Sequence, residues 1–295
     1  MPERPMLVTG GTGQLASALA AAATVHLAGR PAFDFDRPET IEATFCAAAP
    51  GLVVNAAAYT AVDAAEKDIE AAYRANRDGP AILARLCAEA DIPLIHVSTD
   101  YVFDGTKPDP YVETDPVGPQ GIYGASKLAG EQAVTASGAK AIILRTAWVY
   151  AATGKNFVRT MLTVGKTRDR LTVVGDQHGC PTAAADLAAA ILAISALIGR
   201  TGWREEYRGI FHAAGAGATT WHGLAVATFE EAARHGAKMP DVAPIATADW
   251  PTPAKRPANS RLDCTRLQDV FNVRLPHWRN SLTRTIDTIY AVAPP

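Results

Sequence analysis

Met6-Leu7-Val8-Thr9-Gly10-Gly11-Thr12-Gly13-Gln14-Leu15-Ala16 decides how the chain is read. A short apolar run ends in glycines, and an alanine-rich helical pattern begins near Gln14. Glycine lets the backbone turn sharply and approach a ligand closely, and the amide-rich start of a helix favours an anion. The spacing Gly10-x-x-Gly13-x-x-Ala16 departs from the usual Gly-x-Gly-x-x-Gly, but Ala16 still permits close packing of helix on strand. Set between a first strand and a first helix, the turn reads as a pyrophosphate cradle, with a purely structural turn as the alternative.

Working outward, the first half of the chain repeats the same alternation. Met6 to Val8, Val25 to Ala28, Leu52 to Asn55, Leu94 to Ser98 and Ala141 to Arg145 read as strands. Gln14 to Ala23, Pro38 to Ala48, Asp63 to Asn76, Pro80 to Ala90 and Gly124 to Ala136 read as helices. Such alternation predicts an α/β fold, a Rossmann-like doubly wound parallel sheet covered on both faces. A strand at Leu171 to Val174, a helix at Asp186 to Ile198 and a strand at Gly209 to Ala213 are expected to complete the sheet. From about Trp221 onward Pro244, Pro251, Pro253 and Pro257 favour loops and short elements. The expected division is a Rossmann domain of residues 1–150 with about 171–215, and a smaller, partly intertwined α/β substrate lobe of about 151–170 with 216–295.

Composition narrows the class. The 295 residues are 48% hydrophobic and 20% charged, enough for a large core, and 28 basic against 30 acidic side chains leave a formal charge of −2. No basic block points to nucleic acid or an anionic membrane. Cys46, Cys87, Cys180 and Cys264 are dispersed without a CxxC pair, and the seven histidines form no close pair, so reduced thiols and no metal are expected. The first strand begins at Met6, and the apolar stretches stop short of the ~18 residues a span requires, so a cytoplasmic protein without a secretory signal is expected.

Three further places carry chemistry. An acid at the end of the second strand would take the ribose hydroxyl of NAD; here Ala28-Gly29-Arg30 offers a guanidinium suited to a 2′-phosphate, so NADPH is the predicted cofactor, with NADH use left open and a solvated Arg30 as the alternative. Asp34 and Phe35 could receive the adenine, Asp36 before Arg37-Pro38 looks like a helix cap, and the small Ala56, Ala57 and Ala58 allow close approach of a cofactor. After the fourth strand, Thr99 and Asp100 face the crevice where open α/β sheets bind ligands, although either could cap a turn. Finally, Tyr123 and Lys127 lie four residues apart, hence on one helical face. A nearby ammonium lowers a phenol's pKa, which would make the pair a proton donor for carbonyl reduction beside Thr99; a packed ring and a solvated charge are the plainer reading.

Together these residues resemble an extended short-chain dehydrogenase/reductase. More specifically, Asn55 to Glu66, Ser98 to Gly105, Tyr123 to Glu131, Arg145 to Tyr150, Asn156-Phe157, Asp176 to Thr182, Thr219-Thr220-Trp221 and Pro251 to Ser260 are similar to the dTDP-4-dehydrorhamnose reductase family along almost the whole chain. The resemblance implies NAD(P)H-dependent reduction of dTDP-4-dehydro-L-rhamnose to dTDP-L-rhamnose. It makes Tyr123 the proton donor to the C4 oxygen, Lys127 the holder of the nicotinamide ribose and Thr99 the group that orients the acid. Gly10, Gly13, Gln14, Leu15, Asp34, Phe35, Ala56, Ala57 and Ala58 would line the cofactor. Thr99, Asp100, Trp148 and Asn156 would meet the sugar nucleotide, although Trp148 would otherwise be read as core, and Arg256 could meet its diphosphate. Some relatives hold magnesium between subunits; Ala18 stands where a carboxylate would be needed, so no such site is expected, and a homodimer is left open.

Other functions stay in view. A dehydratase would need Asp-Glu after the threonine, where this chain has Asp100-Tyr101. Another sugar-nucleotide 4-ketoreductase or a 4-epimerase could use the same Tyr-x-x-x-Lys. A non-catalytic regulatory subunit, like that of methionine adenosyltransferase, would retain the fold without turnover.

Overall fold

In the computed structural model, which describes residues 4–292, the alternation of the first half becomes β1 (Met6–Thr9), α1 (Gln14–Ala22), β2 (His26–Ala28), α2 (Pro38–Ala48), β3 (Leu52–Asn55), α3 (Val62–Ala65), α4 (Ile69–Tyr73), α5 (Gly79–Glu89), β4 (Pro93–Thr99), α6 (Ile122–Ala136) and β5 (Lys140–Thr146). There follow β6 (Val149–Tyr150), α7 (Phe157–Gly165), β7 (Arg170–Val174), β8 (His178–Gly179), β9 (Thr182–Ala183), α8 (Ala184–Thr201), β10 (Gly209–His212), β11 (Thr219–Thr220), α9 (Trp221–Ala233), β12 (Asp241–Ile245), β13 (Asn259–Ser260), α10 (Thr265–Phe271) and α11 (Trp278–Val292).

Six parallel strands form the main sheet in the order β10-β5-β4-β3-β1-β2. The winding reverses between β1 and β3, so a crevice opens beyond their carboxyl ends, where such sheets bind ligands. Alternate side chains bury on opposite faces: Val8, Val54, Ile95, Ile142 and Leu144 against α1, α8 and α10, and Leu7, Val53, Leu94 and Ile143 against α2, α5 and α6. α8 is long and apolar enough to cross a membrane, with mean hydropathy 1.5, yet Leu187, Ile191, Ile194 and Ile198 of this helix are buried in the core shared with α1.

Three sequence expectations need correction. The strand expected at Leu171 to Val174 forms, but β7 pairs in parallel with β12 and not with the main sheet. Its apolar run can be covered by either sheet, and the deciding partner lies some seventy residues on. The helix expected over Asp63 to Asn76 is divided into α3 and α4, and then runs through a π-helical turn, Arg74–Asp78, directly into α5. Pro80 lacks an N–H and would crowd the carbonyl of Asn76; widening the turn there displaces that carbonyl. The proline-rich reading of the carboxyl-terminal third holds for the loop 246–258 but missed α9 and α11, two helices of three to four turns. With α7 these helices enclose a second core of Val158, Leu162, Leu224, Ala227, Leu282 and Ile286.

Candidate active site

The glycine turn is shaped by close approach. Gly10 has φ +106°, and a Cβ there would stand 3.1 Å from the carbonyl of Ala56. Across the switch point Thr9 Oγ1 donates to Asn55 Oδ1 (2.6 Å) and accepts from the Ala57 amide (3.1 Å), while Asn55 Nδ2 donates to His96 Nδ1 (3.0 Å). This buried chain fixes the end of β3 against β1, so Ala56, Ala57 and Ala58 stay partly open beside Gly10. Gly13 caps α1 without a side chain, which leaves the amides of the first turn for an incoming anion. Leu15 is buried beneath the turn. Gln14 is partly buried, and its Oε1 accepts from Asn156 Nδ2 (2.9 Å).

At the end of β2 the geometry decides which side chain can stand there. A Cβ on Gly29 would lie 2.6 Å from Gly11 Cα, so an acidic residue at this position would collide with the cradle. Arg30 is exposed and pairs with Asp34 (3.0 Å) and Asp36 (2.8 Å). Burial tends to raise the Asp34 pKa, but the Asp36 amide and the Arg30 and Arg37 charges outweigh it and hold the carboxyl below its usual range. The Asp34 carboxylate expected to meet adenine is thus already engaged. Phe35 points inward, its ring filling the space left by Gly79. Asp36, expected as a cap, binds Arg30 and Arg74 instead, and Arg37 occupies the cap position of α2.

Beyond β4 the candidate residues converge. Thr99 is 5% exposed; its hydroxyl donates to Asp100 Oδ1 (3.0 Å) and accepts from the Tyr101 amide (3.2 Å), and it lies close enough to the Tyr123 phenol to bear on its pKa. The Tyr101 and Tyr123 rings meet edge to face at 5.3 Å. α6 starts at Gly121 without a side-chain cap of its own, and Glu66 Oε1 accepts from the Ile122 amide (2.8 Å), so a carboxylate from the end of α3 secures the turn that carries Tyr123. Lys127 is buried, and its ammonium donates to the Val97 carbonyl (2.7 Å).

One expectation reverses here. Burial, with the Asp100 charge, pushes the Tyr123 phenol up to about 12 against the opposing influence of the nearby Thr99 hydroxyl. Lys127 does not enter that balance, because its ammonium is directed at β4. The phenol is neutral at physiological pH and available as a donor. Asp100 has a buried Oδ2 without a partner among the described residues, and burial pushes its carboxyl up to about 6 despite the nearby Ser260 and Thr99 hydroxyls.

Trp148 holds a left-handed backbone (φ 51°), its indole stacked on Trp221 at 3.6 Å and pressed against Gly179, where a Cβ would come within 2.3 Å. A bulky residue in that conformation is strained and typical of functional positions. Arg256 Nη2 donates to Asp63 (2.7 Å), and the guanidinium lies near enough to Tyr101 to oppose the rise in its pKa. Asn156 is committed to structure: it caps α7 through Arg159 (3.0 Å) and binds Gln14 and the Ala151 carbonyl (both 2.9 Å). It therefore joins the cradle to the start of α7. Sequence reasoning missed Thr9, Asp63, Glu66, His96 and Trp221; only their position inside family-like segments could have marked some of them.

A doubly wound parallel sheet with a glycine cradle at its switch point and a Thr–Tyr–Lys set at its carboxyl edge defines an extended short-chain dehydrogenase/reductase. The family described as RmlD substrate binding domain matches residues 4–291. The chain belongs to the dTDP-4-dehydrorhamnose reductase family. A dTDP-4-dehydrorhamnose reductase of Sinorhizobium fredii is 44% identical over 95% of this chain and 96% of its own, and one of Burkholderia thailandensis is 44% identical over 93% and 95%. Among solved structures, a dTDP-4-dehydrorhamnose reductase from Bacillus anthracis in complex with NADP has a TM-score of 0.88 at 32% identity, covering 97% of this chain and 99% of that one. The reductase from Clostridium acetobutylicum has a TM-score of 0.88 at 36% identity, with the same coverage.

Proposed function

We propose that this protein reduces the C4 ketone of a dTDP-4-dehydro-6-deoxy sugar, dTDP-4-dehydro-L-rhamnose, to dTDP-L-rhamnose with NADPH. The observation that carries the reading is the Tyr123 phenol, neutral and beside Thr99 beyond the switch point, one helical turn from the buried Lys127. The residues present fit the dinucleotide: Gly10 and Gly13 leave backbone free at the start of α1, and Gly29 has no room for the acid that would select NAD. Bound NADPH supplies the hydride. Gly10, Gly13, Gln14, Leu15, Ala56, Ala57 and Ala58 would line its binding site, and Lys127 would hold the ribose. Asp34 would contribute at the adenine end only by giving up its pairing with Arg30, and Phe35 supports that end from the core. Tyr123 gives its proton to the C4 oxygen as charge develops there, and Thr99 orients both.

For the substrate, Trp148 on its Trp221 backing packs against the deoxysugar, and Asp100 accepts a sugar hydroxyl through its free Oδ2. Arg256 exchanges Asp63 for the diphosphate, while Asn156 acts from behind by fixing Gln14. The second lobe, built on α7, β7, α9, β12 and α11, forms the far wall. Assay of a panel of 4-keto sugar nucleotides tests the assignment: kcat/KM is expected to be highest for dTDP-4-dehydro-L-rhamnose, and a higher value with another sugar or base would reassign the substrate. Purified protein carrying stoichiometric NAD and needing no added cofactor would instead indicate a 4-epimerase.

Arg30 sets a cofactor prediction. A charge-assisted hydrogen bond contributes about 1.5–3 kcal/mol. Arg30→Ala is expected to lower kcat/KM for NADPH about 10–100-fold while changing that for NADH less than about 3-fold. Steady-state kinetics with both cofactors checks this, and an equal loss with both would remove Arg30 from 2′-phosphate recognition.

A further inference from the structure

Glu131 follows Lys127 by four residues, so both side chains leave α6 on the face turned towards the sheet. Glu131 is 2% exposed and receives two hydrogen bonds from Arg145, from Nε at 2.9 Å and Nη2 at 2.6 Å; Arg145 is equally buried. Arg145 is the penultimate residue of β5, its guanidinium lying over the Phe103 ring at 4.9 Å. The layer under α6 thus buries two cations, Lys127 and Arg145, around one carboxylate.

Its other titratable members do not supply a second counter-charge close to the lysine. On β4, His96 is neutral, held well below the usual histidine range by burial and by the Lys127 charge. On β10, His212 is pushed down to about 4 by burial and the Arg145 charge, and donates from Nδ1 to the Asp263 carbonyl. Tyr123, on the same helix, carries a neutral phenol. Asp100, after β4, is turned to Thr99. A buried ammonium without an anion loses its proton readily.

We propose that Glu131, held in place by Arg145, is the counter-ion that keeps the Lys127 ammonium charged, a positioning residue that acts on the reaction through Lys127 without touching the substrate. The inference rests on the reading of Lys127 given above. Burial pulls the Lys127 pKa down to about 8, and the Glu131 charge is what opposes that fall. Arg145 fixes the carboxylate bidentately, so its charge cannot turn away from the helix.

The test is the pH dependence of kcat/KM at saturating NADPH for the wild type, Glu131→Gln, Glu131→Asp and the double variant Glu131→Gln/Arg145→Met, with thermal unfolding followed in parallel. In Glu131→Gln the alkaline limb is expected to move down by about one pH unit or more, the effect of removing a nearby opposite charge in a buried layer. Activity then falls about 5-fold or more near pH 8 but stays within about 3-fold of wild type near pH 6. Glu131→Asp is expected to restore the limb. A folded Glu131→Gln that loses the same factor at every pH, or keeps the wild-type limb, would overturn the proposal. Should that variant fail to fold, with Arg145 left buried and unpaired, the double variant decides: a lowered limb supports the proposal and an unmoved one overturns it. Lys127→Met separates the two levels. Full activity there would remove the role of Lys127 itself, whereas an inactive Lys127→Met with an unshifted Glu131→Gln would sink only the counter-ion.

Discussion

Tyr123→Phe is expected to lower kcat about 10²–10⁴-fold while leaving the KM for the sugar nucleotide within about 3-fold, the usual contribution of a positioned general acid. The ring stays because its edge-to-face contact with Tyr101, at 5.3 Å, needs no hydroxyl. What is lost is the proton delivered to the C4 oxygen. Since burial and Asp100 push the phenol up to about 12, the wild-type donor stays protonated across the physiological range, and its own ionisation should not appear as an alkaline limb below that pH. An alkaline limb in the wild type belongs to Lys127, whose ammonium is lost as pH rises through about 8. Steady-state kinetics with a thermal-unfolding control checks the variant. Full activity in a folded Tyr123→Phe would assign the proton to another group.

Gly130→Ala is expected to destabilise the protein by about 1–3 kcal/mol or more, although alanine is intrinsically the better helix former by about 1 kcal/mol. The added Cβ would stand 1.9 Å from the carbonyl oxygen of Asn76, far inside contact distance. That carbonyl cannot retreat easily. Asn76 sits in the π turn forced by Pro80, and its side chain accepts from the Tyr59 amide (2.8 Å) and donates to the Tyr59 carbonyl (3.1 Å) and Ser126 Oγ (3.0 Å). The strain therefore reaches the loop after Ala58 and the helix between Tyr123 and Lys127, so activity should fall with stability. Gly199 in α8 is the control, with open space around it; Gly199→Ala should be neutral or stabilising by up to about 1 kcal/mol. Denaturant titration of both variants measures the difference, and equal stability would mean that the close approach at Gly130 does not limit packing.

The parts of the fold legible in the sequence are those encoded locally. Leu52–Asn55 or Lys140–Thr146 can be read as buried parallel strands because every residue but Lys140 is buried or apolar. The glycine cradle is legible because a positive φ at Gly10 and a close backbone at Ala56 leave room for little else. Thr99 at a strand end, and Tyr123 and Lys127 on one helix face, were legible as placements because both follow short periods. Long-range choices were not. The apolar run of β7 looks the same whether β12 or the main sheet covers it. Nothing near Asp63 indicates that it binds Arg256, 193 residues away, nor near Glu66 that it caps the helix of Tyr123. Asp34 was legible as an acid near the adenine end, but not as the shared partner of Arg30 and Arg37, which the turn brings to it. The sign of the Tyr123 shift was missed for a related reason: sequence spacing places Lys127 one turn away but does not record that its ammonium is turned to Val97.

The most direct measurement is NADPH oxidation by the purified protein with dTDP-4-dehydro-L-rhamnose, with the product identified in the same reaction. Saturable turnover, one NADPH consumed for each dTDP-L-rhamnose formed, is the expected result. Absence of turnover by folded protein at saturating NADPH and ketosugar would contradict the assignment of Tyr123, Thr99 and Lys127 as a ketone-reducing site.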